Sequence, residues 1–174
     1  MEDSTNGEFR DFQVNALWLQ MHDVIRKVFS YHLEGPPHCF WNCYKETGDD
    51  IEVAKLTGVR DLDVRGWFKM SALSSGVVCE IACMVKLTNG ASGWELPVTL
   101  KINLPGQGGT EKKRRYSLLK KPRGLWMELN GGSFQSMAGE TGEVIIDLYN
   151  HDKPSKSGLI IKGIIIRPKE LNRS

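Results

Sequence analysis

The run Gly158–Lys169, reading GLIIKGIIIRPK, limits what this chain can fold into more than any other stretch. Leu159, Ile160, Ile161, Ile164, Ile165 and Ile166 are nearly continuous, and five of these six are β-branched. Two heavy atoms on Cβ stiffen χ1, which disfavours a helix and suits a pleated surface. A short apolar run between a glycine and Pro168 predicts a strand buried on both faces, with pairing ending where proline lacks an N–H. Val144–Leu148, with Asp147 breaking its apolar side, and Leu125–Leu129 (LWMEL) predict two more strands of the same sheet.

The N-terminal part has a different period. Leu17, Met21, Val24, Ile25, Val28 and Phe29 recur in steps of three and four, which predicts a helix that Gly35-Pro36-Pro37 ends. Residues 1–8 are expected to be disordered and 9–37 to form a helical extension, either capping a sheet edge or docking on a partner or a second copy. After Pro37 the chain reads as strands. Gly76–Thr88 is β-rich, and Asn89-Gly90 predicts a hairpin turn into a strand over Trp94–Leu104. There Leu96, Val98, Leu100, Ile102 and Leu104 alternate with Pro97, Thr99, Lys101 and Asn103, and Pro97 would need an edge or non-bonding position. Eight or nine strands with turn signals every ten or so residues predict an all-β fold. The expected architecture is an antiparallel β-sandwich, jelly-roll-like, with an added N-terminal helix.

Composition narrows the function. A chain of 174 residues and 40% hydrophobic content can bury a real core, and a net charge of +2 does not by itself point to nucleic acid. No run reaches the ~18 apolar residues of a membrane span, and no apolar segment near the N-terminus reads as a signal peptide, so synthesis in the cytosol is expected. Cys39, Cys43, Cys79 and Cys83 form two C-x3-C pairs, each on one face of a strand. They read as buried thiols, with a disulfide between the segments or a metal site as alternatives. His22, His32, His38 and His151 stand apart from any nucleophile or metal motif, and neither a P-loop nor a dinucleotide glycine fingerprint is present. Catalysis and cofactors are therefore not expected. Trp18, Trp41, Trp67, Trp94 and Trp126 leave a binding role: an exposed indole can stack on a sugar ring while polar neighbours hold its hydroxyls.

RGLWMELNGGSF, GEVIIDLY and KSGLIIKGIIIRPK resemble the C-terminal signature of the phloem lectin (phloem protein 2, or Nictaba-like) family. HCFW at 38–41 resembles its early strand ending in tryptophan, and residues 61–66, DLDVRG, resemble its WLEIRGK strand with the tryptophan replaced. The resemblance covers residues 38–169 and makes 38–170 the expected lectin sandwich. It implies a non-catalytic lectin for N-acetylglucosamine oligomers (chitooligosaccharides) or N-glycan cores, in phloem or in stress and defence. Its partners would be glycoproteins and a second copy of the chain. Trp41 would be the stacking platform, with Ser133 and Glu140 or Glu143 as hydroxyl contacts; Ser133 stands where the family often has glutamate. Lys112, Lys113, Arg114 and Arg115 match the position of a nuclear-import signal in some members, which implies a cytoplasmic and nuclear location, or phloem sap. The alternative is a protein- or RNA-interaction module on a lectin fold that has lost its sugar site.

Overall fold

The computed structural model describes residues 17–20, 41–46, 48, 52–106 and 109–169. Among the described residues, ten strands build two antiparallel sheets. The six-stranded sheet runs β2 (Trp41–Lys45), β3 (Glu52–Leu56), β10 (Ser157–Pro168), β5 (Val78–Ser92), β8 (Met127–Gln135), with β1 (Leu17–Gln20) also on β10. The four-stranded sheet runs β4 (Leu62–Lys69), β9 (Glu143–Asn150), β6 (Val98–Leu104), β7 (Thr110–Tyr116). The expected β-sandwich is what forms.

The isoleucine-rich strand is central. One edge of β10 pairs with β5 along most of its length, while the other edge takes β3 at Ile160–Ile161 and then β1 at Gly163–Ile166. Ile161, Ile164 and Ile166 join the core between the sheets, and Ile160 and Ile165 are buried on the opposite face. The facing sheet supplies Val98, Leu100, Ile102, Val144, Ile146 and Leu148 at alternate positions, as a period of two demands. Cys79 and Cys83 also lie four apart on the core face, buried and free, so no disulfide ties them to the segment carrying Cys39 and Cys43. Burial pushes the Cys83 thiol up to about 12. Among the described residues no group of three His, Cys, Asp or Glu side chains could hold a metal.

Four expectations are corrected. Val144–Leu148 does not share a sheet with the isoleucine-rich strand: it lies in β9 of the four-stranded sheet, facing β10 across the core. Residues 17–20 are a strand, not part of a helix: Leu17 and Trp18 pair with Ile166 and Ile165, completing the β10 edge that β3 leaves open. The rest of the expected helical extension lies outside the described residues. Asn89-Gly90 is not a hairpin turn, because β5 continues to Ser92 and its successor β6 belongs to the other sheet. Residues 93–97 instead cross between the sheets. There Trp94 is fully buried and donates its indole N–H to the Ser157 carbonyl at 3.0 Å, while Leu96 is exposed and β6 begins only at Val98.

Candidate functional site

One end of the sandwich carries a cleft of about 530 Å³. It arises from a mismatch between the two longest strands. Ser157 pairs with Ser92 and Leu159 with Leu87, so residues 88–91 of β5 bulge opposite the single residue Gly158. Thr88 and Asn89 line the cleft on one side, Lys55 and Thr57 on the other, with Ser157 and Gly158 between them. The set is rich in hydroxyl and amide groups, the chemistry that recognises polyhydroxy ligands. On the β5 side, the Gly124 N–H donates to the Leu87 carbonyl at 2.7 Å, anchoring the loop before β8 to this end.

A buried lysine fixes the cleft's rim. Lys156 is 0% exposed, and its ammonium donates to the carbonyls of Arg60 at 2.5 Å, Asp152 at 2.7 Å and Pro154 at 3.0 Å. Its backbone exchanges both hydrogen bonds with Val59, so the segments leading to Thr57 and to Ser157 are held together. Burial pulls this lysine below its ordinary value of 10.5, with Asp152 and Asp61 acting in the opposite sense.

The outward faces of both sheets are laced with ion pairs. In the four-stranded sheet Asp147, the acid that breaks the apolar pattern, is 2% exposed. It accepts from Arg65 Nε at 2.6 Å and lies 3.7 Å from Lys101 Nζ. In the six-stranded sheet Arg167 bridges Glu80 and Glu128, and its bond to Glu128 lowers that carboxyl. Trp126 is half-buried there, with the ammonium of Lys86 4.5 Å and that of Lys162 5.6 Å from its ring centre.

The structure does not gather the residues expected to form one sugar site. Trp41 is the first residue of β2, in register with Leu56, which places its backbone beside the strand that borders the cleft; its side chain is outside those described. Ser133, on β8 at the opposite edge of the same sheet, pairs with Glu80 of β5, which itself pairs with Arg167 on β10. Lys55, the neighbour of Leu56, is level with Ile160. The seven positions from Ile160 to Arg167 span about 20 Å, and the four strand spacings across the sheet add roughly as much sideways. Glu143 pairs with Lys69, and Gly142 bonds to Met70, so the acidic loop lies at the far end of the sandwich. Glu140 is engaged there: its carboxylate accepts the Met137 N–H at 2.9 Å, closing its own turn.

The basic run is β7, an edge strand. Lys112 donates to the Ser133 carbonyl, Arg114 to Asn130 Oδ1 at 3.1 Å, and Lys113 pairs with Glu111 at 2.9 Å, while Arg115 is exposed. Two of the four basic side chains thus tie the edges of the two sheets together. Sequence reasoning missed Lys55, Thr57, Thr88, Ser157 and the role of Asn89. The available signal was a polar Thr-Asn-Gly inside a β-rich stretch that is too long for one side of a hairpin.

The phloem protein 2 family model matches residues 33–168. A lectin of Luffa acutangula is 40% identical over 131 residues, covering 75% of this chain and 61% of its own. The Arabidopsis thaliana protein PHLOEM PROTEIN 2-LIKE A1 is 35% identical over 132 residues, covering 75% and 54%. This chain therefore spans less than two thirds of the length of these relatives. Among solved structures, the CBM22-1 xylan-binding domain of Paenibacillus barcinonensis Xyn10C superposes with a TM-score of 0.43 at 13% identity, covering 79% of this chain and 91% of its own. The extent of the family match and the identity to these relatives make this chain a member of the phloem protein 2 family.

Proposed function

We propose that the protein is a non-catalytic lectin of the phloem that binds N-acetylglucosamine oligomers, and that the sugar enters the cleft between Thr57, Asn89 and Ser157. The cleft carries this reading: it is concave, offers the hydroxyls of Thr57, Thr88 and Ser157 and the amide of Asn89 beside apolar surface, and has its rim held by Lys156. Carbohydrate binding by the relatives named as lectins agrees with it. Trp41 is the stacking candidate, a reading supported by the pairing of its strand with β3, which borders the cleft.

Calorimetry with chitotriose tests the proposal. A single shallow site is expected to bind near millimolar, worth about 4 kcal/mol. Removing the Asn89 amide (N89A) takes away about one net hydrogen bond of ~1 kcal/mol, a loss of roughly fivefold in affinity. Absence of heat at several times that sugar concentration would overturn the assignment to N-acetylglucosamine oligomers. Steeply salt-dependent RNA binding in its place would favour the interaction-module alternative.

A further inference from the structure

The lining of the cleft is unusual for a site built only for neutral sugars: none of its eight residues is acidic, and one is Lys55. Lys55 is half-buried, and among the described residues no carboxylate pairs with it. Every other lysine contact on this face of the sheet differs. Lys86 lies in the same cross-strand row, since Ile160 pairs with both Lys55 and Lys86, but it is neutralised by Glu46 at 2.5 Å and rests over Trp126. Lys162, the residue after the β10 positions that pair with β3, also approaches Trp126. Of these three lysines, Lys55 is the one that lines the cleft.

A cation without a counter-ion, beside hydroxyl and amide donors, matches a ligand that is rich in acceptors and negatively charged. A carboxylate or sulfate would accept from Lys55 in a charge-assisted hydrogen bond, about twice as strong as a neutral one. The partial burial of Lys55 reduces the screening that makes fully exposed pairs weak.

We propose that the cleft selects an acidic saccharide, one bearing a carboxylate or a sulfate, with Lys55 as the counter-ion. This rests on the reading of the cleft as a sugar site and names the class of sugar it prefers.

The test compares trimers of equal length by calorimetry: chitotriose, sulfated chitotriose and trigalacturonate. At low salt at least one acidic trimer binds about tenfold more tightly than chitotriose. The advantage collapses at about 0.5 M salt, where the Debye length falls to ~4 Å. It also disappears in K55M, which keeps the apolar stem, when read as the ratio of acidic to neutral trimer affinity within that variant. A gain for both acidic trimers assigns the preference to charge, and a gain for trigalacturonate alone assigns it to the uronate carboxylate. Two outcomes overturn the proposal: chitotriose binding as tightly as both acidic trimers, or an acidic preference that survives K55M. If no trimer binds, the lectin reading itself fails; binding by an acidic trimer without detectable chitotriose binding keeps the cleft as a sugar site and supports the acidic preference. Circular dichroism of K55M checks that the exposed end of this lysine is replaced without unfolding the strand.

Discussion

At the scale of single residues, Lys156 carries the most consequence. A lysine with no exposure and only backbone carbonyls as acceptors replaces its lost hydration with three hydrogen bonds. Lys156→Met keeps the volume and removes every donor, leaving three carbonyls unsatisfied. We expect a loss of about 2–4 kcal/mol in urea denaturation. Because burial holds the ammonium below 10.5 in the fold, the unfolded chain binds more protons as the pH rises towards that value. Wild-type stability relative to the non-titrating K156M should therefore rise with pH in that window. A gap that narrows instead would show that the carbonyls raise this lysine rather than burial lowering it. None of this was legible beforehand. Pro-Ser-Lys-Ser-Gly reads as an exposed loop, and only the bridge to Val59, nearly a hundred positions away, buries the lysine. Cys79 and Cys83 were legible, because their shared face depends only on the period of the strand they occupy.

At the scale of elements, the bulge between β5 and β10 makes the cleft, and Gly158 makes the bulge. Its φ is +78°, and a Cβ there would sit 2.5 Å from Thr88 Oγ1 and 2.6 Å from Ala91 Cα. Gly158→Ala combines left-handed strain with a backbone clash, expected to cost about 2–4 kcal/mol. Gly76→Ala is the control: φ is +76° but nothing lies within 4 Å, so only the strain of about 1–2 kcal/mol remains. Equal losses in denaturant midpoint for the two variants would mean that the close approach of the strands is not what fixes the bulge. The same element explains the failed hairpin. Asn-Gly permits a tight turn, but β5 needs its extra residues to pass Gly158 while staying paired at Ser92. Pairing with a strand almost seventy positions further on overrode the local preference.

At the scale of the whole molecule, antiparallel strands of eight to fifteen residues carry the chain from one end of the sandwich to the other, so neighbours in sequence are poor guides to a shared site. The alternation of apolar residues showed the two-layer class and the central place of β10. It could not show the register, and register sets Trp41 level with the cleft while placing Ser133, Glu140 and Glu143 towards the far end. The two ends make different claims on a bound sugar, and backbone amide shifts in NMR separate them. On titration with chitotriose, the amides of residues 55–57, 88–90 and 157–158 should move together along one binding curve. Those of 136–143 should stay put, because a trimer in the cleft does not reach the acidic loop at the other end of the sandwich. Glu140→Gln with Glu143→Gln should then leave the affinity within about twofold, since sites this far apart act independently. Shifts confined to 136–143, with affinity lost in the double variant, would move the sugar to the acidic end and return the cleft to a purely structural consequence of the bulge.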